Sequence, residues 1–182
     1  MSETLSELFN RIGMTDKHTR HSYDYFYEPL LRHKKETATH VLEIGVVGVV
    51  TRGGGDLHAF AEYFSNAEIH GIDVVNFEPT HPNITFHLGD AYDEEFLSRL
   101  EGIKWDIVLD DGPHTKETQL FALNYFFDKI KEDGIVIVED VKQQDTHWIV
   151  NNFIGDKKRL SIVDRAHTSN TEFNDEYILI YM

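Results

Sequence analysis

Cysteine is absent from the chain, which rules out disulfides, thiolate metal sites and thiol nucleophiles. Positive charge is scarce: 17 Lys and Arg stand against 32 Asp and Glu, a formal net charge of −15. Without a basic patch to neutralise phosphates, neither nucleic acid nor an anionic membrane surface is an expected partner. No apolar run approaches membrane-spanning length. The opening "MSETLSELFNRIG" is amphipathic and acidic, without the basic and apolar regions of a secretory signal. A soluble, cytoplasmic protein is the expectation. Repeats, low-complexity tracts and long linkers are missing too. The 182 residues, 41% hydrophobic and 27% charged, fit one globular domain with a sizeable core.

What is present alternates. "HVLEIGV" (His40–Val46), "EIHGIDV" (Glu68–Val74), "ITFHLGD" (Ile84–Asp90), "WDIVLDD" (Trp105–Asp111) and "GIVIVED" (Gly134–Asp140) read as short buried strands. Between them lie helical periods. "DLHAFAEYFSNA" carries Leu57, Phe60, Ala61 and Phe64 on one face. "KETQLFALNYFFDKI" carries Leu120, Leu123, Phe127 and Ile130, with Thr115 as its N-cap. "EEFLSRL" (Glu94–Leu100) and the stretch from Asp145 to Ile154 supply shorter helices. Strand–helix alternation builds a parallel sheet covered on both faces. The last two strand-like runs, Lys158–Arg165 and Glu176–Met182, are joined by "AHTSNTEFND", which has no helical period. So short a connection cannot make a parallel crossover, and the chain is expected to end in an antiparallel hairpin.

Ligands of such sheets bind at the carboxyl ends of the strands. Here those ends carry Glu43 and Gly45, then Asp73, Asp90, Asp110 with Asp111, and Glu139 with Asp140. Acids at every parallel strand end make one rim. "LEIGVVG" places Gly45 and Gly48 where the chain turns, so that backbone can approach a ligand closely. Neither a phosphate-binding P-loop nor the dinucleotide glycine pattern is present. Asp73 suits the hydroxyls of an adenosine ribose, or a plain turn. Asp90 suits an adenine edge or the cap of the next helix. Asp111, His114, Glu139 and Asp140 gather carboxylates that repel one another unless a cation sits among them. Hard oxygen ligands without cysteine favour Mg²⁺, Mn²⁺ or Ca²⁺ over zinc.

On these motifs the chain resembles the class I S-adenosylmethionine-dependent methyltransferases, whose Rossmann-like α/β sheet has seven strands and ends in an antiparallel hairpin. More narrowly it resembles the metal-dependent sugar O-methyltransferases of macrolide biosynthesis, the mycinamicin and macrocin type. The resemblance runs from "ELFNRIGMTDKHTRHSYDYFYEPLL" through "VLEIGV", "TRGGGDL", "AEYFSNAEIHGIDV", "GDAYDEEFL" and "DIVLDDGPHT" to "GIVIVEDV". "EIG" and "GID" are generic; the Asp-Asp-Gly-Pro-His turn followed by the Glu-Asp strand end is much more specific.

The resemblance implies that Asp111, Glu139 and Asp140 hold Mg²⁺ and that His114 is the general base. It places Glu43, Gly45, Gly48, Asp73, Val74, Asp90, Ala91 and Asp110 around S-adenosylmethionine. It implies a small hydroxylated acceptor, sugar-like; a homo-oligomer is left open, since the family's oligomer contacts do not transfer to this chain. Residues 1–182 then read as a single methyltransferase domain, with 1–35 a helical lid or cap and 38–182 the α/β core. The segment Thr15–Tyr23 is the part expected over the cofactor. Two departures stand out: Val47 occupies the place of the usual second glycine, and the macrolide enzymes carry an additional N-terminal domain. The rival readings are an NAD(P)-dependent oxidoreductase, and a cofactor- and metal-binding module without methyl transfer.

Overall fold

A computed structural model describes residues 3–18, 21–48, 54–165 and 177–182. Residues 51–53 of the glycine-rich run, two residues of the 15–23 segment, the whole final strand connection and Glu176 lie outside them. The described chain runs α1 (Leu5–Ile12), α2 (Asp24–Leu31), β1 (His40–Ile44), α3 (Gly55–Tyr63), β2 (Glu68–Asp73), β3 (Ile84–Leu88), α4 (Glu94–Leu97), β4 (Trp105–Asp110), α5 (Lys116–Phe126), β5 (Ile130–Val141), α6 (Gln143–Asn152), β6 (Leu160–Asp164) and β7 (Tyr177–Tyr181).

All seven expected strands form one sheet, in the order β3-β2-β1-β4-β5-β7-β6. β1 to β5 pair parallel, and β7 lies antiparallel between β5 and β6. The strand order reverses between β1 and β4, the switch point where a crevice opens at the strands' carboxyl ends.

Alternation along each strand feeds two cores, because successive side chains point to opposite faces. Val41, Ile69, Ile107, Leu109 and Ile137 meet Leu5, Phe9, Tyr27, Leu57 and Phe60 on the face covered by α1, α2 and α3. Leu42, Ile72, Val108, Val136 and Val138 meet Leu97, Leu123, Phe126 and Ile149 on the face covered by α4, α5 and α6. The sheet is therefore buried on both sides, as its near-continuous apolar strands require.

Helix ends follow local chemistry. Thr115 caps α5 by accepting from the Thr118 amide at 3.2 Å. The helix stops at Phe126, earlier than its apolar period suggested. Ile130 belongs instead to β5, which starts before the expected Gly134 and shifts register against β4 between Trp105 and Ile107. The N-terminal segment is helical only in part. Between α1 and α2 the described residues form turns rather than a helix, and that stretch packs onto the site.

Candidate active site at the sheet's switch point

A cavity of about 780 Å³ opens at the carboxyl ends of β1 to β5. It is large enough for a drug-sized ligand. The sequence-predicted residues Gly45, Gly48, Asp73, Val74, Asp90, Ala91, Asp111, His114 and Asp140 all line it. Val47 and Tyr92 line it as well, and the N-terminal segment contributes Asp16 and His21. Glu43, Asp110 and Glu139 do not reach its wall; they lie behind it, buried.

The glycine turn has an unexpected reason. Gly45 has φ +85°, and a Cβ there would lie 2.0 Å from the Asp111 carbonyl oxygen. The close approach that requires glycine at this position is with the chain leaving β4, and Gly45 lines the cavity as well. Val47 keeps the turn closed: its amide donates to Asp73 Oδ2 at 2.7 Å, while Asp73 Oδ1 accepts from the Val75 amide at 2.8 Å. Asp73 lines the cavity, and each of its oxygens retains a second lone pair. Asp90 does not cap α4; Asp93 does, accepting from Glu95, while Asp90 accepts from the Tyr92 amide at 2.9 Å. Asp110 supports the wall from behind, taking the Tyr92 hydroxyl at 2.5 Å. Burial pushes the Asp110 carboxyl up to about 7, against the pull of that hydroxyl.

The opposite end of the cavity is acidic and strained. His114 Nε2 lies 3.6 Å from Asp111 Oδ1 and 3.8 Å from Asp140 Oδ2. His114 and Asp140 both hold left-handed backbone, φ 55° and 51°, a conformation that costs a non-glycine residue on the order of 1–3 kcal/mol. Asp111, His114 and Asp140 each offer one ligand atom, all within 4.8 Å of one another. Glu139 Oε1 is buried with no hydrogen-bond partner. Oxygen-rich donors and an orphaned carboxylate oxygen fit a hard divalent cation. Burial raises the Asp111 carboxyl to about 6 and the Glu139 carboxyl to about 7.

Several of the residues that complete the site gave no signal of their own in the sequence. Lys17 is fully buried and donates to Asp111 Oδ2 and Glu139 Oε2, each at 2.7 Å. Burial works against its charge, but Asp111, Glu139, Asp56 and Glu43 outweigh that and hold its pKa well above the ordinary lysine value. Tyr23 donates its hydroxyl to Asp140 Oδ1, and Arg165 donates to the same hydroxyl at 2.9 Å with its guanidinium 3.8 Å over the ring. His21 stands 3.6 Å from Asp140 and 3.4 Å from Asp16. Burial disfavours its charge, but Asp16 and Asp140 hold its pKa above the ordinary value. The one available clue was arithmetic: clustered acids require cations, and cations are few in this chain.

The architecture is the class I methyltransferase fold. The chain belongs to the sugar O-methyltransferase family of the mycinamicin, macrocin and tetracenomycin type. The 8-demethyl-8-alpha-L-rhamnosyl tetracenomycin-C 2'-O-methyltransferase of Streptomyces olivaceus is 30% identical over 74% of this chain and 36% of its own length. The mycinamicin VI 2''-O-methyltransferase of Micromonospora griseorubida is 30% identical over 75% of this chain and 36% of its own. The chain thus spans little more than a third of the length of the curated relatives it matches. No protein-family profile matches it. Among solved structures, the MycE methyltransferase of the mycinamycin pathway, in complex with Mg, SAH and mycinamycin VI, superposes with TM-score 0.68 at 29% identity. That match covers 85% of this chain and 42% of the other. Fibrillarin from Aeropyrum pernix shares the fold at TM-score 0.59 and 16% identity.

Proposed function

We propose that the chain is the catalytic domain of an S-adenosylmethionine- and Mg²⁺-dependent O-methyltransferase acting on a hydroxyl of a sugar or another small hydroxylated molecule. The observation that carries this is the charge of the cavity. Asp16, Asp56, Asp73, Asp90, Asp111 and Asp140 line it, and no lysine or arginine does among the described residues. Such a wall suits a cationic sulfonium cofactor and disfavours the anionic pyrophosphate of a nicotinamide dinucleotide. The sugar O-methyltransferase homologues and the Mg and SAH of the MycE complexes support the same reading.

In this reading Asp73 receives the ribose hydroxyls, near Val74 and Ala91. Asp111 and Asp140 present carboxylate oxygens to the cation, with Glu139 beside them. When bound, S-adenosylmethionine supplies the methyl group and Mg²⁺ lowers the pKa of the acceptor hydroxyl. His114 Nε2 takes that hydroxyl's proton as the oxygen gains its methyl, and keeps it until solvent removes it. Asp111 and Asp140 flank the imidazole at 3.6 and 3.8 Å, where they favour the imidazolium once it has taken the proton, and Lys17, His21 and Tyr23 brace the carboxylates from the N-terminal side.

The test is methyl transfer to sugar acceptors with Mg²⁺ and with EDTA, alongside thermal shifts with S-adenosylhomocysteine and NAD⁺. Turnover is expected to require the metal, and His114→Ala to lower it by about 10²–10⁴. S-Adenosylhomocysteine at ~100 times its dissociation constant is expected to add about 2.7 kcal/mol of apparent stability. Full activity in EDTA, or an equal shift with NAD⁺, overturns the assignment.

A further inference from the structure

Asp111 divides its two oxygens between two environments. Oδ1 faces His114 Nε2 at 3.6 Å, on the cavity side with Asp140. Oδ2 accepts at 2.7 Å from the Nζ of Lys17, which is buried and does not line the cavity. Around that ammonium lie Glu139 Oε2 at 2.7 Å and Asp56 Oδ2 at 3.6 Å. Glu43 completes the group: one ligand atom each from Glu43, Asp56 and Asp111 falls within 4.8 Å of the others. Both oxygens of Glu43, one per cent exposed, and Oδ1 of Asp56 are buried without a hydrogen-bond partner. This inner cluster has the donor set of a second hard-cation site.

We propose that the site contains two cation positions joined through Asp111: a cavity-side position for an exchangeable divalent ion, and an inner position among Glu43, Asp56, Asp111 and Glu139 filled permanently by the Lys17 ammonium. The cavity-side half rests on the Mg²⁺ reading above; the inner half does not. Five carboxylates (Glu43, Asp56, Asp111, Glu139 and Asp140) converge here, so a single ammonium leaves room for a divalent ion without displacing it. In two-metal sites the ions sit roughly 3.5–4 Å apart and both act as Lewis acids. An ammonium in the inner place relieves carboxylate repulsion without adding a second Lewis acid. It also fixes which oxygen Asp111 offers to the exchangeable ion. Being part of the chain, it is not removed by chelators.

The test counts bound Mn²⁺ per chain, from the free-ion electron paramagnetic resonance signal, in the unaltered protein and in Lys17→Ala. The variant is expected to bind one ion more than the unaltered protein, because Glu43, Asp56, Asp111 and Glu139 are then open to a divalent ion. Equal counts overturn the inference while leaving the cavity-side ion intact. No ion in the unaltered protein and one in the variant shows that ammonium and ion compete for a single position, and overturns the two-position proposal together with the Mg²⁺ reading. Should Lys17→Ala fail to fold, amine acylation of the unaltered protein read by mass spectrometry decides. Lys17 is expected to stay unmodified in EDTA and in Mn²⁺ alike. Acylation that appears on adding Mn²⁺ shows that ion and ammonium share one position, and overturns the proposal.

Discussion

His114 and Asp140 face each other across 3.8 Å, Nε2 to Oδ2, and each holds a left-handed backbone conformation to do so. Two strained residues on adjacent strand ends, both aimed into one cavity, are the pattern expected where geometry serves a ligand more than stability. The strain at His114 is separable from its chemistry. His114→Gly is expected to be more stable than His114→Ala by about 1 kcal/mol in urea unfolding, because only glycine adopts φ 55° freely. Both variants are expected to lose turnover alike. If alanine is the more stable of the two, the left-handed conformation carries no cost.

Asp73 gives a second test. It closes the turn through the Val47 and Val75 amides at 2.7 and 2.8 Å. Asp73→Ala is expected to cost about 1–3 kcal/mol of stability and to weaken S-adenosylhomocysteine binding as well. Asp73→Asn keeps an acceptor for one amide, so it is expected to recover part of the stability with less of the affinity. Calorimetric titration beside thermal unfolding separates the two effects.

Asp110 sets a pH dependence with a definite sign. Its folded pKa, about 7, lies above the ordinary 3.8, so the folded protein holds a proton that the unfolded chain releases between those values. Stability therefore falls as pH rises from about 4 to about 7, and the penalty is complete above that. Asp110→Asn removes the buried charge while leaving an acceptor for Tyr92. The variant is expected to gain most over the unaltered protein near pH 8 and nothing near pH 4, read from urea midpoints at each pH. A gain independent of pH shows that Asp110 is not the titrating group.

At Gly45 the expectation is structural. A Cβ would meet the Asp111 carbonyl at 2.0 Å, and φ is +85°. Gly45→Ala is expected to lose on the order of 1–3 kcal/mol and to loosen the end of β4 that carries Asp111 and His114. Metal affinity should fall with it. An alanine variant with unaltered stability would show that this strand end yields easily.

The sheet was legible because its strands are short, β-branched and separated by amphipathic periods, and local pattern settles such elements. The end of α5 was not, because Phe127 and Ile130 continue a helical period that β5 pairing overrides. The acidic rim was legible too, since strand ends in an α/β sheet converge. Which acids face the cavity was not: Glu43 and Glu139 are buried around Lys17 and Asp110 behind Tyr92, while Asp111 lies just past β4 and Asp140 has a left-handed backbone, and no local pattern in the sequence marks these differences. Lys17 was out of reach of local reasoning. Its partners lie 94 and 122 residues away, and nothing in its own neighbourhood marks it as buried.

Those separations have a consequence for synthesis. Lys17 leaves the ribosome well before Asp111 and Glu139 exist to receive it. At about 5–20 residues per second, the 122-residue gap to Glu139 lasts roughly 6–25 s. Until that interval ends the lysine of the N-terminal turn lacks Glu139, its partner from β5. The full set of contacts that buries Lys17 therefore cannot form until β5 has been made, so the electrostatic closure of the site follows the synthesis of the sheet's centre.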